Sequence, residues 1–176
     1  FYVMSTDAGG NIATDDNGGS YYDFTTYELQ VFFSDDMEGG QGDWTATGLW
    51  HIVPETSTCN ESHSPVQSWY YGQESSCDYD TGSSNSGTLT SGVIDLTGTT
   101  QAELHAWYWF EGESSTTYDT IDISVTLVGG SSTVVHTITD PSSGWEELVI
   151  DMAPFVGNQV QLSFFFDTYD SYMNSY

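Results

Sequence analysis

Apolar and polar residues alternate with a period of two along most of this chain, and this alternation constrains the fold more than any other feature. The clearest run is Ile121–Leu127, where Ile121, Ile123, Val125 and Leu127 share one face of an extended segment. Similar runs, separated by Gly, Pro and Asp, predict about nine strands. Only residues 152–156 are predicted to form a helical turn. The sequence therefore predicts an all-β fold, an antiparallel β-sandwich of the jelly-roll type.

The predicted strands lie, among others, at 27–33, 44–53, 87–96, 102–110, 121–127, 134–138, 145–152 and 160–166. The segment 102–110 is the most apolar, and it is predicted to be a central strand with both faces covered. Val134, His136 and Ile138 are predicted to continue the meander as far as Asp140-Pro141. Residues 1–26 are predicted to be an extended N-terminal arm or linker, and residues 27–176 to be the sandwich domain.

The charge of the chain excludes several classes of partner. The sequence has no lysine or arginine and 26 aspartates and glutamates, so its formal net charge is −26. Each carboxylate must therefore be solvated, hydrogen-bonded, protonated or bound to a cation. Without a basic patch, binding to nucleic acid or to an anionic membrane is not expected. Since no apolar run is as long as a transmembrane helix, membrane insertion is not expected either.

The only two cysteines, Cys59 and Cys77, bracket the aromatic run Trp69-Tyr70-Tyr71. Two cysteines in a chain this polar favour one disulfide and an oxidising compartment, hence an extracellular or cell-surface location. The alternative is a pair of buried free thiols in a cytosolic protein. Asn60 begins an Asn-Glu-Ser sequence, which is a glycosylation acceptor in organisms that glycosylate.

Short motifs in a fixed order resemble a known module. They are Asp35-Asp36-Met37-Glu38-Gly39, Asp43-Trp44-Thr45, Thr47-Gly48-Leu49-Trp50-His51, Ser68-Trp69-Tyr70-Tyr71-Gly72, Tyr79-Asp80-Thr81-Gly82, Asn85-Ser86-Gly87, Leu89-Thr90-Ser91, Ile94-Asp95-Leu96, Gly144-Trp145-Glu146 and Phe166-Asp167-Thr168. Together they resemble the MAM-like jelly-roll accessory domain of secreted proteins such as immune inhibitor A-type metallopeptidases and bacillopeptidase F-like proteases. The resemblance covers most of the chain, residues 29–170.

The resemblance implies a structural calcium ion near the acidic turn that contains Asp35, Asp36 and Glu38. Carboxylate and amide oxygens of loops suit Ca²⁺, and clustered carboxylates repel one another unless a cation bridges them. Further acidic loops add candidates of the same kind. The predicted ligands are Asp35, Asp36, Glu38, Asp78, Asp80, Asn85 and Asp119. The alternative is that these are solvated loop acids.

The family pattern ends in a closing strand, Gly-Trp-Tyr-Ile-Asp-Asp-Val, that this sequence lacks. A sandwich without that strand would expose an unpaired edge and an apolar groove. The arm of a neighbouring copy, with Phe1, Tyr2, Val3 and Met4, could fill the groove by strand addition. Such a head-to-tail contact does not close and would build a filament of identical copies. The alternative is a truncated domain whose arm is only a linker.

No enzymatic activity is expected. The sequence contains neither a His-Glu-x-x-His zinc motif nor a Gly-x-Ser-x-Gly elbow, and its four histidines are scattered. Five aromatic residues could instead stack on sugars or fill the core: Trp69, Tyr70, Tyr71, Trp107 and Trp109. The expected function is a secreted structural or interaction module that self-assembles into an extracellular filament. The alternative is a calcium-stabilised accessory domain that binds carbohydrate or protein.

Overall fold

A computed structural model describes residues 3–7, 9–15, 18, 30–54, 56–59, 62–113 and 118–171. The strands, in chain order, are β1 (Val3–Thr6), β2 (Ile12–Asp15), β3 (Thr45–Ala46), β4 (Trp50–Val53), β5 (Ser68–Tyr71), β6 (Ser86–Thr90), β7 (Ile94–Asp95), β8 (Glu103–Tyr108), β9 (Thr120–Leu127), β10 (Ser132–Ile138), β11 (Glu146–Asp151) and β12 (Gln159–Asp167). One 3-10 helix spans Ala153–Phe155, where a helical turn is predicted. No helix among the described residues is long and apolar enough to cross a membrane.

The predicted all-β, antiparallel sandwich is confirmed. The largest sheet has six strands, in the order β10-β9-β12-β6-β3, with β7 paired to the far end of β12. Two further antiparallel pairs are β8 with β11 and β4 with β5. These pairs contribute buried side chains to the same core as the large sheet, so the core lies between layers of sheet.

The core is filled by the inward faces that the alternation predicts. Ile123, Val125 and Val160 have no exposed surface, and Phe166 is buried among aromatic rings. The ring centroid of Tyr71 lies 4.4 Å from that of Phe166, which joins β5 to β12 across the core. Burying one such side chain contributes about 1.5–3 kcal/mol to the free energy of unfolding, so this contact is one of the main links between the layers.

Two predicted strands differ from those observed. Gln30–Phe33 lie in no strand, although 27–33 was predicted to be one, and residues 27–29 lie outside the described residues. The side chain of Val31 is largely exposed, which shows that the alternating apolar residues of this segment do not reach a core. The predicted strand 44–53 is divided into β3 and β4 by a turn at Gly48, which has a φ of 63°. A Cβ at this glycine would lie 2.5 Å from the carbonyl oxygen of Ser86.

The predicted strand 87–96 is also divided, into β6 and β7. The prediction that 102–110 is a central strand is wrong. Of the described strands, only β11 pairs with β8, and Trp107 on its outer face is 47 % exposed. The inward face is as predicted, since Phe110 is buried and Leu104 and Tyr108 pack against the core.

The edge strand β10 contains a bulge that the sequence did not predict. The register with β9 shifts between Val134 and His136. Because the bulge adds one residue, Val134 and Ile138 lie on different faces: Val134 is 55 % exposed and Ile138 is buried. Val135 packs against the core instead.

The N-terminal unit, residues 1–31, is compact in its own right. Within the predicted arm, β1 and β2 pair antiparallel, from Val3 opposite Asp15 to Thr6 opposite Ile12. The tight connection is held by Asp7, whose Oδ1 accepts hydrogen bonds from the amides of Gly9 and Asn11. The sequence did not predict this hairpin. Phe1 and Tyr2 lie outside the described residues.

Cys59 and Cys77 form the predicted disulfide, with Cα atoms 5.0 Å apart. The bond closes a loop that contains β5, and a cross-link of this span stabilises the fold by about 3 kcal/mol in the chain-entropy model. The same loop is held from outside by Glu38, whose Oε1 accepts hydrogen bonds from the amides of Val66 (2.9 Å) and Gln67 (3.0 Å). Asn60, the predicted glycosylation site, lies outside the described residues.

Candidate functional site

The outer face of β8 and β11 carries a cluster of four aromatic rings, two of them exposed and two half-buried. The imidazole of His63 is stacked on the indole of Trp107, with centroids 4.0 Å apart and an interplanar angle of 13°. Trp145 meets His63 edge to face at 5.7 Å, and Trp109 meets Trp145 at 6.3 Å. We call these four residues, His63, Trp107, Trp109 and Trp145, the aromatic face. Rings of this size on a surface are available for stacking against a ligand.

The strand register explains why these rings share a surface. Alternation along β8 points Glu103, His105 and Trp107 outward, while their neighbours point into the core. Trp107 lies directly opposite Glu147 in the ladder between β8 and β11. His63 comes from the loop closed by the disulfide, which Glu38 also holds by hydrogen bonds to its backbone.

A row of polar side chains continues from Trp107 along the same face. Nδ1 of His105 lies 2.9 Å from Oε1 of Glu147, and Nε2 lies 3.3 Å from Oε2 of Glu103. A carboxylate only accepts hydrogen bonds, so both contacts are made fully only by a protonated imidazole. Hydrogen bonding to Glu147, and then to Glu103, raises the pKa of His105.

An open cleft of about 300 Å³ lies beside Trp109 and is also lined by Glu111, Pro141, Ser142 and Ser143. Its wall is fixed by two reciprocal hydrogen bonds. The amide of Phe110 donates to Oγ of Ser142, and the amide of Ser142 donates to the carbonyl of Phe110, both at 2.9 Å. The cleft therefore combines an aromatic wall, a carboxylate and serines.

The neighbouring aromatic run is mostly used internally. Tyr71 is buried and its hydroxyl donates to Oδ1 of Asn85 at 2.7 Å. Burial raises the pKa of Tyr71 to about 12. Burial, and then the charges of Asp78, Glu111 and Glu74, raise the pKa of Tyr70 to about 12. Of the five predicted stacking residues, Trp107 and Trp109 therefore lie on the aromatic face, whereas Tyr71 belongs to the core.

Trp69 is partly buried, and its ring centroid lies 6.3 Å from that of Trp44. Its Nε1 is buried without a hydrogen-bond partner among the described residues. The sequence reasoning missed His63 and Trp145. A signal for Trp145 was present, since it begins the predicted strand 145–152 and lies two positions before Glu147, on the same face. No sequence pattern indicates that the loop residue His63 would stack on Trp107.

The predicted calcium ligands do not come together as one site. Among the described residues, no group of three or more His, Cys, Asp or Glu side chains is arranged to hold a metal ion. Near the acidic turn, Oδ2 of Asp35 accepts the indole N–H of Trp44 at 2.8 Å, and Oδ1 of Asp36 accepts the amide of Glu38. Glu38 anchors the disulfide loop. These acids therefore hold loops together by hydrogen bonds.

The second predicted loop is similarly occupied. Oδ1 of Asp78 accepts hydrogen bonds from Oγ of Ser76 and from the amide of Asp80. Oδ1 of Asp80 accepts the amide of Gly82 at 2.7 Å. Asn85 accepts from Tyr71 and donates to the carbonyl of Tyr79.

Asp119 is different, because its side chain is completely buried in a chain without lysine or arginine. Its Oδ2 accepts the hydroxyl of Tyr79 and the amide of Glu113. Its Oδ1 is buried and has no hydrogen-bond partner among the described residues. Among the predicted ligands, Oδ1 of Asp119 is the buried oxygen whose loss of hydration no hydrogen bond compensates. The carboxylate of Glu113 lies nearby.

Comparison with solved structures shows what the fold is similar to. The chain is similar to TmCBM61, a structure solved in complex with β-1,4-galactotriose, at a TM-score of 0.53 and 14 % sequence identity. The match covers 79 % of this chain and 88 % of that one. It establishes a shared β-sandwich fold. No family model matches the sequence, and no curated protein matches it.

Proposed function

We propose that this chain is a secreted, non-catalytic module that binds carbohydrate on the aromatic face. The observation that carries the proposal is the exposed indole of Trp107, which is 47 % accessible and is stacked on the imidazole of His63 beside a pair of antiparallel strands. Exposed aromatic side chains on a rigid scaffold stack on the C–H faces of sugar rings. The solved structure with a similar fold holds a galactose oligosaccharide, which supports the same class of ligand.

The polar groups beside the rings fit the hydroxyls of a sugar. Glu147 lies opposite Trp107, and His105 bridges Glu147 and Glu103. Carboxylates accept hydrogen bonds from the hydroxyl groups of a sugar. The cleft beside Trp109 adds the carboxylate of Glu111 and the hydroxyls of Ser142 and Ser143. An oligosaccharide that extends from Trp107 towards Trp109 would meet both kinds of group.

The charge of the chain limits the sugar to an uncharged or cationic one. No lysine or arginine exists to bind a carboxylate or sulfate, and three glutamates, Glu103, Glu111 and Glu147, line the proposed surface. An anionic glycan would therefore be repelled. Neutral oligosaccharides are the first class to test.

The test is calorimetric titration of the chain with β-1,4-galactotriose and other neutral trisaccharides, and with trigalacturonic acid as the anionic counterpart. Trp107→Ala should weaken binding at least about tenfold, because a stacking aromatic is commonly a dominant contact. Tyr169→Ala is the matched control, since Tyr169 is 60 % exposed but is not part of the aromatic face. Binding unaffected by Trp107→Ala, or tighter binding of the anionic sugar, would overturn the proposal.

We also propose that the chain is a MAM-like module and that it binds calcium. The residues that support a cation best are Asp119, with its uncompensated oxygen, and the neighbouring Glu113. Calcium bound there would offset the desolvation of Asp119 and stabilise the start of β9. Calcium should then raise the melting temperature of the chain but not that of Asp119→Asn. An equal rise in both would contradict the assignment.

Filament formation through the arm is a second candidate. It requires a sheet edge that can accept a strand, and among the described strands the outer edge of β10 favours it, because β10 pairs only with β9. An extracellular location suits both proposals and is supported by the disulfide between Cys59 and Cys77.

A further inference from the structure

The open cleft beside Trp109 brings an aromatic ring and a carboxylate together. Trp109 and Glu111 lie two positions apart, just after the end of β8, and both line the cleft. Glu111 is exposed, whereas Trp109 is half-buried. Pro141, Ser142 and Ser143 form the opposite side. An indole, a carboxylate and two hydroxyl groups therefore face the same volume of about 300 Å³.

Glu111 differs from the other two glutamates of the proposed surface, because no cation of the described residues lies beside it. Glu103 and Glu147 both contact the imidazole of His105, at 3.3 Å and 2.9 Å. The third histidine ion pair of the described residues is made by Glu74, and the chain has no lysine or arginine. The charge of Glu111 is therefore left for solvent or a ligand to balance.

The surroundings of Glu111 are electrically negative. Burial, and then the charges of Asp78, Glu111 and Glu74, raise the pKa of Tyr70 to about 12. A potential that disfavours the ionised form of Tyr70 favours a positive charge nearby. The negative face of an indole attracts a cation too, so the ring of Trp109 and the carboxylate of Glu111 favour the same kind of group.

The cleft continues the aromatic face. The ring centroid of Trp109 lies 6.3 Å from that of Trp145, which meets His63 at 5.7 Å. His63 in turn is stacked on Trp107. The volume of the cleft is at the lower end of the range for ligand sites, so it suits one sugar unit and not a whole oligosaccharide. A chain stacked on Trp107 would place a neighbouring unit there.

We propose that this cleft binds the protonated amino group of a sugar, so that the aromatic face takes an oligosaccharide of amino sugars such as glucosamine. The inference rests on the proposed glycan binding and names its ligand class. The ammonium would lie between the carboxylate of Glu111 and the indole of Trp109. Ser142 and Ser143 would meet hydroxyl groups of the same unit. A neutral sugar would keep the stacking but lose the charge-assisted contact.

Calorimetric titration of the full chain with two matched trisaccharides tests the inference. Chitotriose is built of β-1,4-linked glucosamine, and cellotriose has the same rings with a hydroxyl in place of each amino group. At about pH 5.5 the amines of glucosamine are protonated and glutamates of ordinary pKa are ionised. Salt at about 0.15 M screens charges beyond about 8 Å, which suppresses attraction to the net charge of the chain. Trilysine supplies ammonium groups without sugar rings.

Chitotriose should bind at least about tenfold more tightly than cellotriose, and Glu111→Gln should remove most of that difference. Asp43→Asn is the matched control, because it removes the same charge at an exposed side chain beside Gly92, outside the aromatic face and its cleft. This control should keep the tenfold difference.

Three results would overturn the inference: equal affinity for the two sugars, a difference that Glu111→Gln leaves intact, or trilysine binding as tightly as chitotriose. The proposed function is decided separately. Cellotriose binding that is weakened by Trp107→Ala would still support it in each of these cases, whereas no binding of either sugar would overturn both.

Discussion

At the scale of single residues, His105 shows how an exposed group responds to its neighbours on the outer face of β8. Both ring nitrogens lie next to carboxylates, and hydrogen bonding to these carboxylates raises the pKa of His105. A raised histidine pKa means that the stabilising contacts are complete below the unfolded-state pKa. They are lost as the pH rises through the folded-state pKa.

Glu147→Gln should lower the titration midpoint of His105 more than Glu103→Gln does. The reason is that Glu147 is the nearer partner, at 2.9 Å against 3.3 Å, and its hydrogen bond is the largest cause of the shift. The measurement is an NMR titration of the imidazole C–H signals of His105. Equal midpoints in the two variants would contradict the assigned geometry.

The sequence indicated which aromatic residues could stack on a sugar or fill the core, but it could not show which residue takes which role. Trp107 and Tyr71 both lie in strands that are rich in aromatic residues, yet Trp107 is on the surface and Tyr71 is in the core. The difference depends on what covers each strand, which local periodicity does not report. The buried position of Asp119 was likewise not foreseen, because a carboxylate after a loop is usually solvated.

At the scale of elements, the turn at Gly48 decides where β3 ends and β4 begins. Gly48 combines a left-handed φ of 63° with close approach to Ser86 and Gly87. A side chain at this position would strain the backbone and also meet a neighbouring strand.

Gly48→Ala should therefore lower the free energy of unfolding by about 3 kcal/mol, through backbone strain and overpacking together. Gly98→Ala is the matched control, because Gly98 has a φ of 82° and no atom within 4 Å of its Cβ position. That control should cost only about 1 kcal/mol. Urea unfolding measures both, and equal losses would show that the close contact has no effect.

The period of two located β9, β11 and β12 well, because each has one buried and one exposed or half-buried face along its length. It failed for residues 30–33, which alternate without reaching a core, and for β10, where a bulge changes the phase. Both failures have the same cause. Alternation describes a segment that could be a strand, while pairing partners and bulges are set by the rest of the sheet.

At the scale of the whole molecule, the net charge of −26 without any lysine or arginine means that self-repulsion opposes the compact state. Among the described residues, the ion pairs involve histidines only, at His51 and His105. Salt therefore screens far more repulsion than attraction in this chain.

Raising sodium chloride from about 0.01 M to about 1 M should raise the melting temperature, since the Debye length falls from about 30 Å to about 3 Å. Scanning calorimetry at pH 7.5 measures this, with potassium chloride as a check against effects of the cation. A melting temperature that falls with added salt would contradict the account.

The sandwich as a whole was predictable from alternation, turn residues and composition, and the disulfide from the cysteine count. The aromatic face was not, because it joins residues from β8, from the start of β11 and from the disulfide loop. Their proximity depends on the pairing of β8 with β11 and on the loop that Glu38 holds. Such contacts between distant segments are not encoded in any local pattern.

The most direct test of the proposed glycan binding is an NMR titration of the six tryptophan indole N–H signals with a neutral trisaccharide. We expect the signals of Trp107, Trp109 and Trp145 to shift, while those of Trp44 and Trp50 stay in place. The indoles of Trp44 and Trp50 donate hydrogen bonds to Asp35 and to the carbonyl of Gly87 and lie away from the aromatic face. Shifts confined to Trp44 and Trp50, or no shifts with any neutral trisaccharide, would contradict the claim that the aromatic face binds carbohydrate.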